Sequence, residues 1–223
     1  MTNNAQNRPR LWVVVPVKPF NEGKSRLAAH ITPQQRRALN RELLTRTLTA
    51  INQAHLDAEI LVISRDTHAL AVAKRAGSRT LPEKSQPCTA PPNACTPSDT
   101  ESEPQLNAAL TQAARHAAAH GATKLLVLPT DMPNLTAADV RTMAASRGPE
   151  PQITIAPSRD GGTNALMLQP PQAIPFAFGR DSFLRHQRLA AAAGIPVHVV
   201  KSDSLLFDID LPEDYRLVFN HRS

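Results

Sequence analysis

Short apolar runs alternate with stretches of helical periodicity along this chain, and that alternation restricts the fold more than any other feature. The apolar runs are residues 13–15, 59–64 and 124–129. The helical stretches between them are residues 32 to about 54, 67–76 and 105–120. Continuous apolar runs joined by helices are typical of parallel strands buried on both faces of a sheet. Thr32 and Gln35 form a capping-box pattern at the start of the first helix. Thr136, with Asp139 in the first turn, is predicted to be the N-cap of a further helix.

The later part of the chain differs, because two predicted strands follow each other without a helix between them. These strands, residues 152–157 and 164–168, predict a hairpin whose turn contains Gly161 and Gly162 for positive φ. The elements predicted after it are a helix over 183–193 with Ser182 as its N-cap, a strand at 196–200, an extended segment at 205–210 and a helix from Pro212. The sum is a Rossmann-like three-layer α/β domain with a mainly parallel, mixed sheet.

Two regions lack this regularity. Residues 1–10 are polar and are predicted to be a disordered tail, which leaves residues 11–223 as a single domain. Residues 82–104 are rich in Pro, Ser and Thr without periodicity, which predicts a flexible loop. Cys88 and Cys95 lie in that loop and are too far apart for a zinc knuckle, so we expect two free thiols.

Composition narrows the class of partner. The net charge of +6 and the pI near 9.9 favour an anionic ligand. One Trp, one Tyr and the lack of a dense run of Lys or Arg disfavour nucleic acid. No apolar run approaches the ~20 residues that a membrane span requires. The N-terminus lacks the apolar core of a signal peptide, so we expect a cytoplasmic protein.

A basic loop follows the first strand. After Pro16 the chain carries Lys18, Lys24 and Arg26. A Walker P-loop would need glycine at position 18, so that interpretation is poor despite Lys24 and Ser25. Ligands of open α/β sheets bind beyond the carboxyl ends of the strands, where three cations could hold a triphosphate by charge. The alternative is a solvated basic loop.

Three carboxylates are predicted at the same edge of the sheet. Asp131 follows one strand, and Asp208 and Asp210 lie two residues apart after another. Oxygen ligands in small number, with room for phosphate, are what Mg²⁺ requires. Each carboxylate alone is more often a loop or cap residue, but cations and Mg²⁺-binding carboxylates together indicate a nucleoside-triphosphate site.

With these residues in place, the chain resembles the guanylyltransferases of deazaflavin coenzyme F-420 biosynthesis, within the group that includes the molybdopterin guanylyltransferases. The resemblance covers most of the chain and is specific as an ordered set. Its motifs are PVKP at residues 16–19 with GKSRL at 23–27, LPTDMP at 128–133, DGGTNA at 160–165, FGRDSF at 178–183 and DIDLPED at 208–214. Residues 82–105 depart from the family, which usually has a glycine-rich turn there.

The resemblance implies a nucleotidyltransferase domain with Mg²⁺ as cofactor and GTP as co-substrate. It implies that Lys18, Lys24 and Arg26 bind the nucleotide, with Lys24 and Asp131 acting in catalysis. The implied metal ligands are Asp131, Asp208 and Asp210, and the implied ligands of the phosphorylated acid are Thr163, Gly179 and Ser182. A homodimer is compatible with the resemblance, and the product would pass to a downstream transferase of the same pathway.

The implied reaction suits the residues. A phosphate oxygen of a three-carbon acid attacks the α-phosphorus of GTP and releases pyrophosphate, so the nucleophile is already an anion and no general base is required. Positioning and charge neutralisation remain for the protein. For the acid we expect 3-phospho-D-glycerate or phosphoenolpyruvate rather than 2-phospho-L-lactate, because the polar loop at residues 82–104 could contact an extra hydroxyl group of the acid.

Two other classes of protein stay open at this point. A nucleotide-sugar glycosyltransferase could use Asp208 and Asp210 as its metal site, but it would need an acceptor base and a sugar pocket. A non-catalytic nucleotide-binding module would bind through the basic loop without turnover.

Overall fold

The computed structural model describes residues 10–84, 99–145, 150–209 and 212–219. The strands are β1 (Leu11–Pro16), β2 (Ala58–Ser64), β3 (Arg79–Pro82), β4 (Lys124–Val127), β5 (Gln152–Pro157), β6 (Thr163–Gln169) and β7 (Val197–Val199). The helices are α1 (Pro33–Gln53), α2 (Thr67–Arg75), α3 (Asp99–Ala119), α4 (Ala137–Ala144), α5 (Ser182–Ala192), α6 (Asp203–Leu206) and α7 (Pro212–Phe219), with a 3₁₀ turn at Ser25–Leu27. No helix in these ranges is both long and apolar enough to span a membrane.

The seven strands form one sheet in the order β3-β2-β1-β4-β6-β5-β7. β1 pairs in parallel with β2 and β4, β2 with β3, and β5 with β7. β6 runs antiparallel to both of its neighbours, β4 and β5. The predictions of a mainly parallel mixed sheet and of a β5–β6 hairpin are therefore confirmed.

Helices cover both faces of the sheet, as the three-layer prediction requires. On one face, Leu44, Leu48 and Ile51 of α1 pack with residues of α2 and α4 against alternate side chains of β1. On the other face, α3 packs against Trp12 and Val14 of the same strand, and α5 packs against β5. Because successive side chains of a strand point to opposite faces, one apolar run supplies both halves of the core.

Local capping confirms two predicted helix starts. Thr32 accepts from the Gln35 backbone N–H while the Gln35 side chain accepts from the Thr32 N–H, and Thr136 and Asp139 repeat this box at α4. Asp139 is buried, which alone raises the pKa of its carboxyl, but hydrogen bonds from Thr136, Ser204 and Ser202 lower the pKa below its usual value. Asp139 thereby also ties α4 to the start of α6.

Three predictions for local structure were wrong. Strand β3 was not predicted, and α3 begins at Asp99, within the range predicted as a loop, so that Pro104 lies inside the helix, where a proline removes one backbone hydrogen bond. The predicted extended segment at 205–210 begins instead as the helical turn α6, because the Ser202 hydroxyl accepts from the Leu205 N–H. Residues 85–98, including Cys88 and Cys95, lie outside the described part of the chain.

Ser182 was also wrongly predicted as an N-cap. Asp181 is the N-cap of α5, with φ of 54°, and it makes no capping hydrogen bond through its side chain. Ser182 is the first helical residue, and its hydroxyl is turned towards Thr163 instead. In the β5–β6 turn, Gly161 has the expected positive φ of 85°, whereas the prediction of positive φ for Gly162 was wrong.

Candidate functional site

The basic loop after β1 is held in shape by two side chains from neighbouring elements. Asn40 of α1 donates to the carbonyls of Phe20 and Gly23. Asp66, the N-cap of α2, accepts from the Phe20 N–H at 2.9 Å. A Cβ at Gly23 would lie 2.7 Å from the Asn40 amide nitrogen, so glycine is needed for this close approach. These hydrogen bonds hold the backbone of the basic loop in a defined conformation.

Lys24 is the residue through which this loop reaches the rest of the site. Its backbone is left-handed, with φ of 58°, and its side chain is only 11% exposed. The Nζ atom donates to the Ile209 carbonyl at 2.5 Å and lies 3.9 Å from Oδ2 of Asp131. The Ile209 N–H in turn donates to the Asp131 carbonyl at 3.0 Å. The structure thus brings the first loop, the end of β4 and the segment before α7 to one point.

The other two predicted cations lie at the surface. Lys18 and Arg26 are both exposed. Asp160 in the β5–β6 turn has a pKa held below its usual value, chiefly by a hydrogen bond from the Ser158 hydroxyl, and the charge of Arg26 adds to this lowering. Arg26 therefore lies near the turn that leads into Thr163.

The predicted metal ligands are only partly described. Oδ1 of Asp131 is buried and has no hydrogen-bond partner within the described ranges, which is the condition of an oxygen open to a cation. Asp208 is 9% exposed, and its carboxylate lies 4.0 Å from Arg159. Asp210 lies outside the described residues, and within them no group of three or more His, Cys, Asp or Glu is placed to hold a metal ion. Asp131 fits a magnesium ligand, and the full set stays a prediction.

Arg159 supports the segment that carries these carboxylates. It donates to the Asp208 carbonyl at 3.2 Å and to the Asp214 carboxylate at 2.9 Å, and its guanidinium lies 4.5 Å from the Phe207 ring centroid. Asn164, next to Thr163, donates to the Leu205 carbonyl at 2.8 Å. The segment before α7 is therefore held from β6 and from the turn that precedes it.

Two of the three predicted acid ligands are in direct contact. The Ser182 hydroxyl donates to Oγ1 of Thr163 at 3.0 Å, and both residues are buried. Nδ1 of His186 lies 3.1 Å from the same Oγ1, while Nε2 accepts from the Ala177 N–H at 3.0 Å. Since Nε2 accepts, the ring proton is on Nδ1 and points at Thr163. Oγ1 then accepts twice, so the Thr163 hydroxyl proton is donated to neither of these two groups.

His186 stays neutral in this network. Burial lowers its pKa to about 4, with a further contribution from the charge of Arg185. The ring also packs edge-on against Phe178, with centroids 5.1 Å apart. His186 is a fixed hydrogen-bonding group rather than a proton carrier at neutral pH.

The third predicted acid ligand, Gly179, has φ of 125°, a conformation that glycine alone adopts readily. The carboxylate of Glu103 from α3 lies against it, so closely that a Cβ at this position would collide with the carboxyl group. Asn107 links the two segments, since its side chain exchanges hydrogen bonds with the backbone of Phe178.

Sequence reasoning missed several residues of the site: Asn40, Asp66, Glu103, Arg159 and His186. Asp66 stands directly before a predicted helix, a capping signal that could have been used. The other four act through contacts between distant segments, for which the sequence carries no local pattern.

Comparisons with known proteins cover most of the chain. The family model described as "Guanylyl transferase CofC like" matches residues 11–95 and 98–223. A phosphoenolpyruvate guanylyltransferase of Sphaerobacter thermophilus is 37% identical over 93% of this chain and 92% of its own. A 3-phospho-D-glycerate guanylyltransferase of Colwellia psychrerythraea is 30% identical, covering 94% and 91%. A 2-phospho-L-lactate guanylyltransferase of Methanothermobacter thermautotrophicus is 32% identical, covering 93% and 83%.

Among solved structures, a putative nucleotide-diphospho-sugar transferase from Desulfovibrio desulfuricans G20 has a TM-score of 0.70 at 14% identity, covering 96% of this chain and 88% of that one. This likeness concerns the fold alone. The family model and the three relatives cover nearly the whole chain, and this protein is therefore a nucleotidyltransferase that belongs to the CofC-like guanylyltransferase family.

Proposed function

We propose that this protein transfers GMP from GTP to the phosphate of a three-carbon phosphorylated acid, releasing pyrophosphate, in the cytoplasmic biosynthesis of coenzyme F-420 or a 3-phosphoglycerate-derived form of it. The observation that carries the proposal is the junction at Lys24, where the basic loop meets both Asp131 and the segment of Asp208. That junction joins a largely buried cation to a carboxylate with an oxygen open to a metal ion, so it suits a reaction between two anions.

Each group in the proposed site has a defined task. Lys18, Lys24 and Arg26 bind the triphosphate and offset the charge that develops on the leaving pyrophosphate. Mg²⁺ held by Asp131, Asp208 and Asp210 would add further neutralisation of that charge. The Thr163 and Ser182 hydroxyls and the Gly179 N–H hold the phosphate of the acid. A phosphate nucleophile needs no base, which agrees with the engaged, neutral state of His186.

For the acid we propose 3-phospho-D-glycerate or phosphoenolpyruvate, with 2-phospho-L-lactate as the weaker candidate. The names of the relatives include all three acids. Sequence identity is 37% to a relative named for phosphoenolpyruvate, 32% to one named for 2-phospho-L-lactate and 30% to one named for 3-phospho-D-glycerate, so it favours phosphoenolpyruvate among the three.

The direct test is incubation of the purified protein with Mg²⁺ and GTP and each of the three acids in turn. We expect pyrophosphate release that depends on the acid, together with one guanylylated product. A nucleotide-sugar glycosyltransferase would instead consume a nucleotide sugar without releasing pyrophosphate, and a binding module would bind GTP without turnover. Absence of product with every acid contradicts the proposal.

Substitution of Lys24 tests the nucleotide half of the site. We expect Lys24→Ala to raise the KM for GTP by about 10-fold to 100-fold, because a hydrogen bond to a charged group contributes roughly 1.5–3 kcal/mol. The KM for the acid should change less. Steady-state kinetics with each substrate varied separately measures the two effects, and Lys74→Ala, at an exposed position of α2, is the matched control. An unchanged KM for GTP would remove Lys24 from nucleotide binding.

A further inference from the structure

The guanidinium of Arg159, in the β5–β6 turn, contacts the chain before, at and after Asp208. Its Nη2 atom donates to the Asp208 carbonyl at 3.2 Å and to the Asp214 carboxylate at 2.9 Å. The guanidinium also lies 4.5 Å from the centroid of the Phe207 ring, where a cation and an aromatic face attract each other. One side chain therefore fixes the chain around a predicted metal ligand to a turn that is distant in sequence.

Arg159 treats the two carboxylates differently. Its Nη2 lies 4.0 Å from Oδ1 of Asp208, which is beyond hydrogen-bond distance, and the bond to this residue goes to the main-chain carbonyl instead. The Asp214 carboxylate, whose side chain is only 7% exposed, accepts directly from the same nitrogen. Asp214 is therefore the counter-charge that Arg159 contacts, and the Asp208 carboxylate does not take part in that hydrogen bond.

The residue after Asp208 is fixed as well, from the opposite direction. The Ile209 N–H donates to the Asp131 carbonyl at 3.0 Å, and the Ile209 carbonyl accepts from Lys24. The backbone of Asp208 is thus held on one side by Arg159 and on the other by the chain that follows β4. Both sets of bonds set the place of Asp208 relative to Asp131, whose Oδ1 is buried and lacks a partner in the described ranges.

The charge of Arg159 by itself would oppose the binding of a metal ion. A guanidinium 4.0 Å from a carboxylate attracts that carboxylate and repels a divalent cation at the same place. Asp214 offsets this charge, because it lies closer to the guanidinium, at 2.9 Å. What Arg159 contributes is therefore geometry, since the N–H bonds of a planar guanidinium have fixed directions and reach a carbonyl and a carboxylate together.

We propose that Arg159 is a positioning residue for the metal ion: it fixes the backbone of Asp208 beside Asp131, and Asp214 keeps the guanidinium away from the Asp208 carboxylate. This inference rests on the proposed function, because it concerns the metal ion that Asp131 and Asp208 are proposed to hold. Groups that orient metal ligands affect metal affinity strongly although they do not touch the ion, which makes the proposal measurable without turnover.

The test measures binding of Mn²⁺, which takes the same oxygen ligands as Mg²⁺ and has an electron paramagnetic resonance signal. Titration of the protein without substrates gives the affinity from the signal of the free ion. Arg159→Gln and Arg159→Lys should both bind Mn²⁺ about 10-fold to 100-fold more weakly than wild type, because neither side chain reproduces the planar guanidinium. If Arg159 acted through charge alone, the glutamine variant would bind more tightly and the lysine variant would match wild type. That pattern would overturn the proposal.

Asp214→Asn tests the second part of the proposal. The neutral amide no longer offsets the charge of the guanidinium, so Arg159 should turn to the Asp208 carboxylate and compete there with the metal ion. We expect weaker binding of Mn²⁺ by about 10-fold. An affinity equal to that of wild type would remove Asp214 from this role.

Arg79→Gln is the matched control. Arg79 is 51% exposed against 48% for Arg159, bonds to the Glu59 carboxylate at 2.7 Å and lies 5.6 Å from the Trp12 ring centroid, but it stands at the amino-terminal edge of the sheet. This variant should bind Mn²⁺ as wild type does. The midpoint of thermal unfolding is measured for every variant, to separate loss of metal affinity from loss of folding.

The outcomes separate this inference from the proposed function. If wild type forms product while both Arg159 variants bind Mn²⁺ as wild type does, Arg159 has a structural role only and the inference is wrong. Wild type that binds no Mn²⁺ also overturns the inference. Wild type that binds Mn²⁺ but forms no product with any of the three acids contradicts the proposed function instead.

Discussion

Replacement of Asp131 by asparagine is expected to reduce guanylyl transfer by about 100-fold or more, the scale on which removal of one preorganised charge affects a transition state. The asparagine side chain would keep the shape of the aspartate and leave the Ile209 N–H bonded to the same backbone carbonyl. It would place a neutral amide where a buried carboxylate oxygen lacks a partner and where the other oxygen lies 3.9 Å from Lys24. The loss therefore falls on the chemistry rather than on the fold.

The measurement is kcat at saturating GTP and acid, with the midpoint of thermal unfolding as a check on folding. Asp57→Asn is the control, because Asp57 is an exposed carboxylate directly before β2, at the opposite edge of the sheet. We expect the control to retain full activity. Near-normal turnover by Asp131→Asn would show that this carboxylate does not hold the metal ion.

The parts of the fold that depend on local patterns could be predicted from the sequence. Apolar runs indicated the strands, and the Thr32–Gln35 and Thr136–Asp139 pairs indicated two helix starts, because capping is a contact between residues three apart. The hairpin of β5 and β6 could be predicted because Gly161 marks a tight turn between two runs. In each case the deciding interaction lies within a few residues of sequence.

The errors arose where a tertiary contact overrode the local preference. Ser182 has the side chain of an N-cap, but its hydroxyl bonds to Thr163, nineteen residues earlier. β3 consists of only four residues, none of them fully buried, and its pairing with β2 decides its conformation more than its own composition does. α3 begins five residues before Pro104, which a local reading of the sequence does not predict, because proline inside a helix usually ends or kinks it.

In the candidate site, too, the sequence predicts which types of residue bind ligands but not which residues they contact. The residue types predicted for nucleotide and metal binding do meet at Lys24 and Asp131, as the convergence of strand ends at one sheet edge requires. The contact of Lys24 with Ile209 joins residues 185 positions apart, and no local pattern encodes it. Glu103 lies in the range predicted as a loop, so its place against Gly179 could not be foreseen.

The second large expected effect is a loss of folding stability on acidification, caused by the buried side chain of His186. In the folded protein the pKa of His186 is lowered to about 4, from 6.5 in the unfolded chain, first by burial and then by Arg185. As the pH falls below 6.5, His186 binds a proton in the unfolded chain. In the folded protein the same ring becomes protonated only near pH 4. Stability is therefore full above the unfolded pKa and falls as the pH approaches the folded one, by about 3 kcal/mol in total.

Urea unfolding at intervals between about pH 7 and pH 4.5 measures this loss, and comparison with His186→Gln isolates it. The glutamine does not titrate, so the variant should be less stable than wild type at neutral pH by about 1–3 kcal/mol, from its incomplete hydrogen bonding, and should lose less stability on acidification. Comparison of wild type with His186→Gln is needed because burial and His120 also lower the pKa of His116. His116 therefore contributes to the loss of stability over the same pH range.

His68→Gln is the control for this experiment, since His68 is exposed and should leave the pH dependence of wild type unchanged. An equal loss of stability in wild type and His186→Gln on acidification would mean that folding does not lower the pKa of His186. A buried Nε2 that accepts from the Ala177 N–H resists protonation, so that result would contradict this hydrogen bond and the direction assigned to the Thr163 proton. The stability measurement thus tests the hydrogen-bond polarity of the acid site without any substrate.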